Sequence, residues 1–419
     1  MHFLRRHGRK AVVTFSVGLL VVYAAIFVRL RGPLAEGYSD FISFYTAGKV
    51  LNQGAPERLY DLNVQYVIQR ETAPRVPIRQ GALPFVRPAF EAWMFAPFAR
   101  LSYPMAFVLW NLLSCSFGIA ALLILRHEIP ELHNLSSSLI LVSGFSYFPV
   151  FFTLLQGQDS LLLLLIYVLA FRALRRDNPL TSGLILGLAS FKFTLLIPFL
   201  IPFVLRRRFR FLTGFVTSCV GLGAISIATV GWSTATYYPR YLLAIDSLAP
   251  GVNRPEDMPN LRGLVSVLLP ASHEINLIVL LILTVLALGL AARNWSLRSF
   301  DPSQYFSLGY ALNVVTTVLV SYHCHVFDLS LLLLPIGITL GTLRSDSSPG
   351  FAGGRLLAWS TAFLMLSPLY LWLTFSPRGA SLLAILVLGF ACALGLSLSG
   401  LRSPSLASAV EISKSMGSN

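Results

Sequence analysis

The chain has 419 residues, of which 55% are hydrophobic and only 12% charged, with mean hydropathy +0.70. A soluble domain carries about twice that charged share, and the apolar residues come in long unbroken blocks. The composition therefore excludes an ordinary soluble enzyme and points to an all-α polytopic membrane protein, with the lipid bilayer as its first partner. A net charge of +14 would suggest nucleic-acid binding in a soluble protein. Here the basic residues stand in short clusters between apolar blocks, where the orientation bias of membrane proteins accounts for them, and no nucleic-acid partner is expected.

In chain order, "RRHGRK" precedes an apolar run from Ala11 to Val28. That run is too long for a signal-peptide core and no small-residue cleavage site follows it. It reads as an uncleaved first span with a cytoplasmic N-terminus. Residues 31–103 form a long outer loop. Its "DFISFYTAGKVLNQG" and "LYDLNVQYVIQRE" have helical apolar spacing, which predicts ordered helices lying in the membrane interface. Further spans are expected over about Pro104–Leu125, Ser138–Leu155, Ser160–Leu174, Phe211–Val230, Ile275–Ala292, Tyr305–Val320, Leu329–Leu343, Leu356–Phe375 and Leu382–Ser399. Residues 231–273 make a second outer loop.

The stretch Leu180–Leu205 needs a separate argument. It lies between "FRALRRD" and "RRRFR", both strongly basic and so both expected on the cytoplasmic side. A single span would separate them. Two short segments that enter and return, with Lys192 near the turn, keep them together, and Pro198 and Pro202 suit a broken helix. With this pair there are about twelve membrane segments, counting short or broken ones. Residues 1–400 form one transmembrane domain with both ends cytoplasmic, and 401–419 reads as a disordered tail. Cys115, Cys219, Cys324 and Cys392 form no CxxC pair, which suggests neither a disulfide framework nor a zinc knuckle.

This topology gathers polar groups from distant segments at the outer face: Asp40, Arg87, Gln158 and Asp159, Lys192, and His323 with His325. Ionisable groups in or beside spans are costly and mark functional sites. Each also has a plain structural reading. Asp40 follows Ser39 and could be only a helix N-cap. Gln158 and Asp159 sit in a tight turn at Gly157 and could cap the next span. Lys192 could snorkel to head groups. His323 and His325 are two residues apart with no third ligand near, so no metal is expected. Asp328, one turn beyond His325, could simply hold it in place.

At these residues the sequence resembles glycosyltransferase family 87, polyprenyl-phosphate-mannose-dependent mannosyltransferases of the GT-C fold. The resemblance is carried by "DFISFYTAGKVLNQGAPERLYD", "AFVLWNLL", "LLQGQDSLLLLLIYVLAF", "GLILGLASFKFTLLIPFLI" with "RRRFR", and "SYHCHVFDLSLLLLP". It implies a GT-C-like fold and places the family's catalytic aspartate at Asp40, its basic residue at Lys192 and its histidine at His323 or His325. Where the family often has Tyr-Pro-Pro, this chain has Val86 and Arg87, and the usual Lys-Pro is Lys192-Phe193.

The implied reaction moves a hexose, mannose by family expectation, from a polyprenyl phosphate to an acceptor hydroxyl on a glycolipid or glycan. One carboxylate suffices as general base for a single inverting displacement, whereas a glycosidase normally needs two. Lys192 and Arg87 are assigned to the donor phosphate, and His323 or His325 to phosphate or sugar. Gln158 and Asp159 are further substrate contacts. Phe41, Phe44 and Tyr45 would line the pocket, or else only pack. The lipid-linked sugar is the donor, no other cofactor is expected, and the site faces outward from the plasma membrane. A transporter or flippase of lipid-linked sugars is the alternative, and a non-catalytic scaffold a third reading.

Overall fold

Apolar blocks between Ser, Asp, Asn and Pro boundaries become helices along the whole chain. The computed structural model describes residues 2–76, 82–249, 253–269, 272–294, 304–344 and 354–416, and contains no strand among them. In order, the helices are α1 (His2–Ala35), α2 (Phe41–Asn52), α3 (Leu62–Thr72), α4 (Ala89–Phe95), α5 (Tyr103–Glu128), α6 (Ser137–Phe145), α7 (Phe148–Gln156), α8 (Ser160–Arg175) and α9 (Pro179–Gly187). They continue as α10 (Phe193–Leu205), α11 (Phe209–Leu248), α12 (Leu261–Leu268), α13 (His273–Asn294), α14 (Gln304–Val320), α15 (Leu333–Arg344), α16 (Gly354–Leu364), α17 (Ser367–Thr374) and α18 (Gly379–Met416). Several starts are set by a side chain that satisfies an unpaired amide. Asp61 accepts from the amides of Asn63 and Val64, Ser136 from Leu139, Asn178 from Thr181, and Asn260 from Gly263.

By length and composition seven helical stretches among the described residues can cross a membrane, with 179–205 and 326–344 each counted as one, or nine if two bent pairs each count as one span. That is fewer than the twelve segments expected from sequence. The shortfall lies in short apolar helices: α8 has 16 residues, α9 has 9 and α10 has 13, against the ~20 needed to span a hydrocarbon core.

The segment 179–205 has the length of one span, yet it folds back. A Cβ on Gly183 would lie 2.0 Å from the Phe211 carbonyl oxygen. The Phe211 ring in turn stacks on Phe203 at 3.9 Å. A straight helix would separate Gly183 from Phe203 by about 30 Å. The chain therefore enters along α9, turns through a 3-10 segment over Leu188–Lys192, and returns along α10. Glycine at 183 is what lets α9 and α11 touch backbone to backbone, as small residues do in membrane helix pairs.

Two polar clusters mark opposite ends of the segments around the site. At one, Glu128 pairs with Arg172 at 3.2 Å and Arg176 at 3.1 Å, and Arg206 donates to the Ala292 carbonyl. At the other, Ser160, Lys192 and Asp328 meet. The spans α8, α9, α10 and α15 connect these ends.

Three regions differ from the sequence reading. First, α2 is not an interfacial helix with an open face: Phe41, Phe44, Tyr45, Ala47 and Val50 are all buried, because α3, α4 and α5 cover it. Second, the helix expected to stop at Val230 breaks at Gly231 (φ 78°) but continues to Leu248. Its second half lies over the first outer loop, with the Tyr238 hydroxyl donating to the Val86 carbonyl at 3.0 Å and Tyr60 stacked on Tyr238. Third, α18 runs on to Met416 through most of the stretch read as a disordered tail. That stretch is too polar to build a core, but its Ala, Leu, Glu and Lys are good helix formers. Residues 417–419 lie outside the described residues.

The bent pairs are α6–α7 (65°) and α16–α17 (55°). Their breaks meet. The Ser367 hydroxyl accepts from the Phe148 amide at 3.0 Å and donates to the Ser146 carbonyl at 2.8 Å. The fold-back of 179–205 brings Arg176 and Arg210 to one end of the bundle. In a chain with its four cysteines replaced, Arg176→Cys and Arg210→Cys should react with an impermeant maleimide from the same face of sealed vesicles. Labelling from opposite faces would show that the segment crosses instead.

Candidate active site

The site is built where the ends of α7, α9 and α14 approach the first outer loop. Gly157 closes α7 in the left-handed conformation (φ 63°), which other residues adopt only at a cost. A Cβ there would also lie 2.7 Å from the Phe41 Cβ. Glycine thus turns the chain and lets residues 156–159 press against the start of α2. Trp110 secures the turn by donating to the Gly157 carbonyl at 2.9 Å.

The turn fixes Asp40 from two sides. Gln156 Oε1 accepts from the Asp40 amide at 3.1 Å, and Gln158 Nε2 donates to Asp40 Oδ2 at 2.8 Å. The Asp40 side chain makes no cap bond to α2, and Asp159 makes none to α8. Neither acid is there to cap a helix. Asp40 stands half-buried on the wall of a cavity of about 450 Å³ that also touches Arg87, Gln158, Lys192, His323, His325 and Asp328.

Behind that wall lies a buried charge cluster. Lys192 Nζ sits 2.6 Å from Asp159 Oδ1, 2.5 Å from Asp328 Oδ1 and 2.8 Å from Ser160 Oγ. An ammonium has three donors, and all three are taken. Arg87 Nη2 reaches Asp159 Oδ2 at 3.2 Å, and its Nε lies 3.8 Å from Glu91. Asp328 Oδ2 accepts from the His325 amide at 3.0 Å, so it holds the histidine segment by the backbone. Asp159 and Asp328 oppose Lys192 and Arg87, which lets these ionised groups persist without water, while burial and the neighbouring Asp159 push the third acid, Glu91, well above its ordinary value.

The histidines face one another edge to face with ring centroids 4.6 Å apart. The His323 carbonyl accepts from Ser321 Oγ at 2.8 Å and Thr194 Oγ1 at 3.2 Å. Burial, reinforced by the neighbouring His325 and Arg87, holds His323 well below the usual imidazole range. Burial also lowers His325, against the pull of Asp328 and Asp40. Both rings therefore favour the neutral form, able to donate from one nitrogen and accept at the other. Burial pushes the Asp40 carboxyl above its ordinary value, opposed by the Gln158 hydrogen bond and the charges of His325, Arg87 and Lys192. For Asp159 burial acts the same way, but Arg87 and Lys192 outweigh it and hold the carboxyl below its ordinary value.

Of the residues singled out in the sequence, Asp40, Arg87, Gln158, Lys192, His323 and His325 meet around one cavity, and Asp159 lies directly behind it. Tyr45 does not line it. Its hydroxyl donates to the Leu101 carbonyl at 2.8 Å and its ring packs on Tyr103, so it is part of the packing. Sequence reasoning missed Glu91, Gln156, Ser160, Asn253 and Asp257. Glu91 carries one readable signal: an acid four residues after Arg87 at the start of a helix. Gln65 and Gln69 on α3 are a further surprise. They clamp the backbone of Leu83 and Phe85, next to Arg87, through buried amide bonds of 2.8–2.9 Å.

The family model described as glycosyltransferase family 87 matches residues 85–322, more than half of the chain. The chain belongs to glycosyltransferase family 87. The matched region of this family 87 chain takes in Arg87, Gln158, Asp159 and Lys192, ends just before His323, and begins after Asp40. No curated protein and no solved structure matches the chain. Among the described residues, no three histidine, cysteine or acidic side chains converge to hold a metal ion.

The charge cluster predicts a large stability effect. Lys192→Met leaves Asp159 and Asp328 buried with one cation fewer, which should cost about 3–5 kcal/mol. Thermal unfolding of the purified variant in detergent measures it. A transition within a degree or two of wild type would mean that the two acids do not depend on Lys192.

Proposed function

We propose that this protein transfers a hexose, with mannose the first candidate, from a polyprenyl-phosphate donor to an acceptor hydroxyl on a glycolipid or glycan. The reading adds a GT-C-like mechanism to the family 87 membership. The observation that carries it is the Asp40 carboxylate, with no cation bonded to it, lining a cavity that Arg87, His323 and His325 also line.

Asp40 takes the proton of the acceptor hydroxyl as that oxygen attacks the anomeric carbon. The bond from the anomeric carbon to the phosphate oxygen breaks on the far side, which inverts the centre. Negative charge grows on the departing polyprenyl phosphate. Arg87, which keeps N–H groups beyond those bonded to Asp159, and neutral His323 and His325 donate to it. Lys192 acts at one remove, by fixing Asp159 and Asp328 and through them Arg87 and the histidine segment. Gln158 orients Asp40. No metal ion enters this scheme.

The arginine-rich end is assigned to the cytoplasm by the positive-inside rule. The cavity then faces outward from the plasma membrane, within reach of lipid-linked donors in the outer leaflet. A flippase reading would need charged groups strung along the spans, whereas the buried charges here stand at the ends of the bundle.

Asp40→Asn, reconstituted in liposomes with polyprenyl-phosphate mannose and extracted membrane glycolipids, should fold and bind donor but lose at least about 100-fold in turnover. Turnover near wild type would remove Asp40 from the mechanism. The pH profile gives a second check. Asp40 works only when ionised, and burial raises its pKa, so activity falls as pH drops through that raised value. Gln158→Leu removes a donor that favours the ionised form. Its acid limb should move to higher pH, and an unmoved limb would mean that Asp40 is not the group titrating.

A further inference from the structure

At the arginine-rich end, far from Asp40, lies a second cavity of about 290 Å³. Its walls are apolar, built mainly from Leu122, Leu125, Leu139, Ile140, Ile336 and Leu340, contributed by α5, α6 and α15. Its rim carries Arg9, Arg126 and Arg344. The helix that links Asp328 of the first site to Arg344 of this rim spans roughly 25 Å, so the two cavities sit at opposite ends of the bundle.

None of the three rim arginines has a carboxylate within 4.0 Å among the described residues, whereas the nearby Arg172 and Arg176 share Glu128. Arg126 donates to the carbonyls of Leu135 at 2.9 Å and His133 at 2.8 Å, and Arg344 donates to the Glu131 carbonyl at 3.2 Å. These bonds aim the side chains and still leave N–H groups for an anion. Glu131 Oε2 stands beside Gly341, 3.6 Å from where a Cβ on that glycine would lie. A slot of hydrocarbon character under a ring of three cations fits a molecule with an apolar chain and an anionic head. Basic pockets of this kind between transmembrane helices bind lipid head groups.

We propose that this cavity binds an anionic membrane phospholipid, with acyl chain in the slot and phosphate at Arg9, Arg126 and Arg344. The lipid would bridge α1, the α5–α6 connection and α15. The site is independent of the proposed transfer reaction and uses none of its residues.

The test uses the purified full chain, delipidated in a neutral detergent, with its thermal transition followed while lipid is added. Phosphatidylglycerol should raise the transition more than phosphatidylcholine with the same acyl chains, and inorganic phosphate should leave it unchanged. In Arg9→Gln/Arg344→Gln the half-saturating phosphatidylglycerol concentration should rise about five-fold or more for each arginine lost. Leu340→Trp, which fills the slot and leaves the rim intact, should weaken phosphatidylglycerol binding as well. Equal effects of the two lipids, or an unchanged preference in the double variant, would overturn the proposal. Stabilisation by inorganic phosphate equal to that by phosphatidylglycerol would also overturn it, because the slot would then play no part.

Discussion

The fold around the candidate active site depends on one ammonium group held between two carboxylates inside an apolar bundle. Removing Lys192, Asp159 and Asp328 from water costs several kcal/mol for each ion, and only close mutual contact offsets that cost. The three side chains come from the turn of the α9–α10 hairpin, the α7–α8 turn and the start of the last buried span. Their pairing therefore sets where three otherwise separate elements must meet. Arg87, brought in from the outer loop by the Gln65 and Gln69 clamp, adds a fourth element through Asp159. The cavity is the space left in front of this cluster, and Asp40 is placed against it by the glutamines of the same turn.

This arrangement separates two roles that look alike in a sequence. Lysine and arginine at an active site both suggest anion binding. Lys192 has its donors consumed by protein acceptors, whereas Arg87 has a planar fork of five N–H groups that Asp159, Glu91 and the Phe191 carbonyl do not exhaust. Burial lowers the imidazole pKa values where it raises those of the acids, because in both it penalises the charged form. It disfavours charge on His323 and His325 and leaves them as neutral donors. The electrostatics of the cavity thus come from a neutralised wall with a few directed N–H groups, rather than from a surplus of positive charge.

Much of this was legible beforehand. The basic clusters at 171–177 and 206–210 implied that the apolar run between them must return, and the contacts of Gly183, Phe203 and Phe211 bear that out. The convergence of Asp40, Arg87, Gln158, Lys192 and the two histidines followed from placing every polar interruption at one depth. What the sequence hid were features decided by neighbours rather than by local pattern. The enclosure of α2 depends on which helices cover it, so its amphipathic spacing misled. The continuation of α11 past Gly231 depends on the tyrosines of its second half finding carbonyls in the outer loop. Partners such as Glu91 and Ser160 become visible only once the elements are packed.

The serine between the two bent helix pairs has a mechanical meaning. A bend in a membrane helix exposes an amide and a carbonyl that hydrocarbon cannot satisfy. Here a single hydroxyl, that of Ser367, serves both groups of the other break. The two kinks are therefore tied to each other: a shift of the α16–α17 break withdraws Ser367 from the Phe148 amide, while the Ser146 carbonyl keeps the Tyr23 hydroxyl at 3.1 Å. Because α7 leads directly to Gln156 and Gln158, and α17 ends at Thr374 on the cavity wall, this coupling links the shape of the pocket mouth to the hold on its acid.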